Sequence, residues 1–156
     1  MDRTTDYAAL LKTSYSEYRT VLRRRKNGFT FVIRNPERKD GDITLTEQDG
    51  SFTLRFFSME EDFADDYAEL VAFVDELIYD ESMIFEFCSE GEYVLGGSRG
   101  TEAIGHPRER SKLIRELADG DFALRCELLA YLEKPACAVR MRGWRAARCF
   151  SIVLNK

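Results

Sequence analysis

The chain has 156 residues, 44% of them hydrophobic and 12% aromatic, and a formal net charge of -5. That is enough apolar material for one self-sufficient core and too much for a disordered chain, and three prolines with ten glycines exclude collagen-like and low-complexity architectures. The longest apolar stretches, such as Leu70 to Val74, fall far short of a membrane span, and Met1 to Asp6 lacks the apolar centre of a signal peptide. The expectation is therefore one cytoplasmic domain over residues 1–156 with no membrane contact.

From Asp6 to Lys26, Tyr7, Leu11, Tyr15, Tyr18 and Leu22 recur at spacings of three and four, which predicts a helix with Thr4 or Thr5 as N-cap and Asn27-Gly28 as its stop. On that reading Arg23, Arg24, Arg25 and Lys26 occupy the last turn, where cations suit the helix dipole. Phe29, Phe31 and Ile33 alternate with Thr30, Val32 and Arg34 as in a strand. Asp49-Gly50 between two alternating runs is a strong hairpin signal. A two-residue turn there pairs Gln48 with Ser51, Ile43 with Phe56 and Leu45 with Leu54.

Ser58 and Glu61 read as a capping box opening a long helix from Met59 to Asp80, with Phe63, Tyr67, Leu70, Val71, Val74, Leu77 and Ile78 on its apolar face. Met83 to Cys88 and Tyr93 to Leu95 form a second hairpin about Glu90-Gly91, and Gly96 to Gly100 opens a loop. Pro107 suits the start of a short helix carrying Leu113, Ile114 and Leu117. Phe122 to Glu133 alternates without a break and is expected as a strand, followed by strands through Cys137 to Met141 and Phe150 to Leu154. The fold class is thus α+β: an antiparallel β-sheet built from hairpins and a C-terminal meander, with two long helices and one short helix packed mainly on one face.

Chemistry-bearing motifs are sparse. Cys88, Cys126, Cys137 and Cys149 match no zinc framework and suit reduced, buried thiols, with Cys126 and Cys137 on apolar strand faces. An odd-numbered final loop would set Cys137 opposite Cys149. His106 is the only histidine, so a Cys-His mechanism must use it. The glycine-rich stretch lacks both the P-loop and the dinucleotide-binding patterns. No cofactor and no metal site is expected.

Charge is unevenly placed: residues 1–39 carry +6, residues 40–102 carry -16 and residues 103–156 carry +5. The acids concentrate around the expected Met59 to Asp80 helix, and Asp75 and Glu76 lie at its unfavourable end. The leading expectation is a non-enzymatic interaction or regulatory module, of an inhibitor-like or immunity-like kind, that offers Asp62, Asp65, Asp66, Glu69, Asp75 and Glu76 to a protein with a basic surface. A homo-oligomer is compatible with this. The alternative is a nucleic-acid binder using Arg140, Arg142, Arg145 and Arg148, with Arg23 to Lys26 in support. A third reading is a small enzyme working through His106 and a cysteine.

Overall fold

The computed structural model describes residues 5–100, 122–145 and 149–153, and the chain divides into two compact units, Met1–Asp75 and Glu76–Lys156. Both contain an antiparallel sheet, and with the helices they make a mixed α+β protein with two sheets rather than one. His106, the short helix expected after Pro107, and Arg148 lie outside the described residues.

The first unit opens with α1 (Tyr7–Ser14), capped by Asp6, whose Oδ1 accepts from the Ala9 amide at 3.2 Å. Five strands follow: β1 (Thr20–Arg25), β2 (Gly28–Ile33), β3 (Ile43–Gln48), β4 (Ser51–Phe56) and β5 (Met59–Ala64), hydrogen-bonded in that order. The single helix expected from Asp6 to Lys26 is therefore a short helix and then a strand. Tyr18 and Leu22 continue the helical spacing by coincidence, while Asn27 and Gly28 belong to a hairpin in which Arg25 pairs with Gly28. Gly28 is required by a close approach, because a Cβ at that position would land on the Glu47 carbonyl oxygen of β3.

The β3–β4 hairpin has the expected register, Ile43 opposite Phe56, Leu45 opposite Leu54 and Gln48 opposite Ser51. Asp49 and Gly50 both take positive φ, 50° and 84°, as a two-residue hairpin turn demands. One face of the sheet is buried through Phe29, Phe31, Ile33, Ile43, Leu45, Phe52, Leu54 and Phe56. The other bears a row that runs Arg23, Thr30, Thr46, Thr53, Asp62 from edge to edge.

The long helix expected from Met59 to Asp80 is likewise divided, into β5 and α2 (Tyr67–Ile78). Ser58 is not a cap. It shares a tight hairpin turn with Phe57, which sits at φ 52° and brings Met59 back opposite Phe56. The helix starts instead at Asp66, whose Oδ1 accepts from the Glu69 amide at 3.0 Å. Tyr7 of α1 and Tyr67 of α2 stack at 4.5 Å and both meet Phe52.

In the second unit β6 (Ser82–Ser89) lies between β7 (Glu92–Gly100) and β8 (Cys137–Arg142), and β9 (Phe150–Val153) pairs with β8. The glycines expected in a loop belong to β7, because a Cβ at Gly96 would meet the Phe85 carbonyl and one at Gly97 the Phe85 ring. Residues Phe122–Tyr131 form α3, not a strand. Leucine, alanine, glutamate and arginine favour a helix there, and the period-two pattern has no structural consequence: Cys126, Glu127, Leu129 and Ala130 are all exposed. A core of Met83, Phe85, Phe87, Tyr131, Cys137, Val139 and Met141 fills one face of this sheet.

Candidate functional site

The acidic residues separate into two groups with different fates. Glu60, Glu61 and Asp62 lie exposed on β5, an end strand of the sheet, and Asp65, Asp66 and Glu69 continue the exposed run into the first turn of α2. Among the described residues only Glu60 has a cationic partner, Arg55 at 3.1 Å. Asp62 and Asp66 accept from backbone amides, of Ala64 at 2.9 Å and Glu69 at 3.0 Å. Asp66 and Glu69 stand at the favourable end of the helix dipole. Glu60 and Glu61 did not figure among the expected site residues, and the helical reading hid the strand that they share with Asp62.

Asp75 and Glu76 are not part of that surface. Both are half-buried; Tyr15 donates its phenolic proton to Oδ1 of Asp75 at 2.9 Å, and Ser82 donates to Oε2 of Glu76 at 3.1 Å. These local donors offset the unfavourable position of the two carboxylates near the helix C-terminus.

The opposite end strand, β1, is basic. Arg23, Arg24 and Arg25 are exposed on it, and Lys26 follows in the turn, so the last-turn position expected for them is replaced by a strand edge. Arg24 pairs with Asp6 at 3.1 Å, and together with the Ala9 amide it holds the Asp6 carboxyl below its usual value. Arg25 bonds the Thr30 hydroxyl across the hairpin.

Arg140 and Arg142 stand over a buried acid of the second unit. Glu86 lies on β6 with its side chain only 6% exposed, and the Nε atoms of Arg142 and Arg140 stand 3.1 and 3.5 Å from its Oε1. Arg140 is its direct cross-strand neighbour and Arg142 lies one pair along the same face. Arg145 meets Asp80, another buried carboxylate, at 3.2 Å. Three of the four arginines named for a nucleic-acid surface thus have a buried acid as a partner, and Arg145 remains largely exposed.

Cys88 shares that face of β6, and burial pushes its thiol above the ordinary value against the opposing influence of Arg140. Cys137 is buried, but Cys126 is exposed on α3, so its expected place on an apolar strand face is overturned. The β8–β9 register, Ala138 opposite Val153 through Met141 opposite Phe150, does not set Cys137 opposite Cys149, and none of the four cysteines is in a disulfide. No group of three His, Cys, Asp or Glu residues suited to a metal ion occurs among the described residues.

A cleft of about 840 Å³ in the first unit had no sequence signal beyond the turn residues Asn35-Pro36. Arg19, Arg34 and Lys39 line it together with Glu17 and Asp42. Arg34 pairs with Asp42 at 2.9 Å, and Asn35 uses its side chain to hold the loop, donating to the Gly41 carbonyl and accepting from the Glu37 and Arg38 amides. The cleft carries both signs of charge, whereas each edge strand of this unit's sheet presents a run of one sign.

No family model matches the chain, and no curated protein or solved structure matches it.

Proposed function

We propose that the protein is a non-enzymatic, cytoplasmic protein-interaction module that docks a basic partner on the acidic edge formed by β5 and the start of α2. The observation that carries this reading is the coincidence of an exposed end strand with six acids in ten residues, Glu60 to Glu69. A strand edge offers unpaired amide and carbonyl groups, which a partner strand can engage along the backbone. Like charges held side by side repel one another and attract a complementary surface, which speeds encounter and selects against acidic partners. Asp62, Asp65, Asp66 and Glu69 remain in the docking surface, Glu60 and Glu61 join it, and Asp75 and Glu76 serve the fold. The free cysteines accord with a reducing compartment.

The test is anisotropy titration of a labelled peptide of alternating lysine and valine against the full chain. Glu60→Gln, Glu61→Gln and Asp62→Asn together remove two lysine-facing pairs, those of Glu60 and Asp62, at about 0.5 kcal/mol each, so affinity should fall about fivefold. An affinity unchanged by those substitutions and by added salt would overturn the reading.

A further inference from the structure

We propose that the surface complementary to the acidic edge is the protein's own basic edge, so that copies join head to tail, β5 of one to β1 of the next. This rests on the reading of β5 as a docking edge. Exposed strand edges are ordinarily protected by charges of one sign, which keep copies apart. Here the two edges of one sheet carry opposite signs: Arg23, Arg24 and Arg25 on β1, Glu60, Glu61 and Asp62 on β5. That pattern favours association where a uniform one would forbid it.

The pairing pattern sets the geometry. Five consecutive antiparallel strands leave β1 and β5 running in the same direction. On β1, Arg23 shares the outer face with Thr30, Arg25 lies on that same face, and Arg24 lies opposite Phe29 on the buried face. On β5, Glu60 and Asp62 lie with Arg55 and Thr53 on the outer face, and Glu61 lies opposite Leu54. A second copy that continues the sheet by parallel pairing keeps the faces aligned. Glu60 then meets Arg23, Glu61 meets Arg24 and Asp62 meets Arg25. Antiparallel addition turns the copy over and sets the outer face of β5 against the face that holds Arg24 alone. The present partners of these side chains, Asp6, Thr30 and Arg55, are within reach of solvent and can be exchanged. Because the two patches differ, the contact is heterologous and continues beyond a dimer.

Sedimentation velocity of the full chain from about 10 to about 500 µM, in about 20 mM and about 500 mM salt, reads the outcome. The wild type should form a concentration-dependent series of species at low salt that is lost at high salt. Arg23→Glu with Arg25→Glu makes both edges acidic, and Glu60→Lys with Asp62→Lys makes both basic. Each variant alone should remain monomeric, and their equimolar mixture should regain the series. Circular dichroism confirms that these exposed positions leave the fold intact. A wild type that is monomeric throughout, or variants that associate as it does, would overturn the proposal. If the lysine–valine peptide still binds β5 in that case, the docking edge stands and only the self-pairing falls; if the peptide fails as well, both fall.

Discussion

The phenolic hydroxyl of Tyr15 donates to Oδ1 of Asp75 at 2.9 Å, joining the residue that ends α1 to the last turn of α2. Tyr15 is 4% exposed, so its hydroxyl has little water to turn to, and Asp75 sits where the helix dipole disfavours a carboxylate. Replacing Tyr15 by Phe removes a hydrogen bond to a charged group and leaves Asp75 short of a donor. The expected cost is about 2 kcal/mol, read as a lower urea midpoint with an unchanged slope. Asp75→Asn, which keeps an acceptor and removes the charge, should cost less.

Glu86 offers a sharper case in the second unit. Its carboxylate faces Arg142 and Arg140, and its removal takes away the negative charge that two partly buried guanidiniums on one sheet face share. Glu86→Gln should therefore destabilise by about 3 kcal/mol, whereas Glu86→Gln combined with Arg140→Met and Arg142→Met should recover part of that loss. Urea unfolding of the two variants makes the comparison. Equal losses in both would mean that the charges are not coupled.

Alkaline stability follows from buried proton donors. Burial, and then the neighbouring Cys137, raise Tyr131 far above its ordinary value of 10.0, and burial with Tyr7 raises Tyr67. Cys88 is raised from 9.0, first by burial. A group held protonated in the folded state adds stability that is complete below its unfolded pKa and is lost as pH rises beyond it. The urea midpoint should be level to about pH 8.5 and then decline, and Tyr131→Phe should flatten the steepest part of the decline above about pH 10. A decline identical in the variant would contradict the assignment to Tyr131.

Much of the strand pairing was legible because turn chemistry and alternation agreed. Asp49-Gly50 gave both the place and the register of β3 and β4, whereas Glu90-Gly91 gave only the place of the β6–β7 turn: the register shift between Phe87 and Cys88 and the run of β7 on to Gly100 carried no such signal. The two overlong helices share one cause. Spacings of three and four through Tyr15, Tyr18 and Leu22, and through Phe63 and Tyr67, arise by chance where a helix and a strand adjoin, and the boundaries carry weak signals. Phe57 takes a left-handed turn conformation with no glycine or asparagine to announce it. That single unmarked turn hid the β5 edge, so the acidic patch was recognised but assigned to the wrong element. For the arginines, alternation placed Arg140 and Arg142 on one face, as the structure has them, but only the cross-strand register reveals Glu86 beside them.

Strand addition at β5 has a signature that a merely acidic helix would not give, because it protects backbone amides at the sheet edge. Hydrogen–deuterium exchange of the full chain, with and without a saturating lysine–valine strand peptide, tests this directly. Slowed exchange is expected in peptides spanning Met59–Ala64, reduced by Glu60→Gln, Glu61→Gln and Asp62→Asn when the peptide only half-saturates the wild type, with α2 beyond Glu69 unaffected. Exchange across Met59–Ala64 that stays unchanged by a bound peptide, or protection confined to α2, would contradict it.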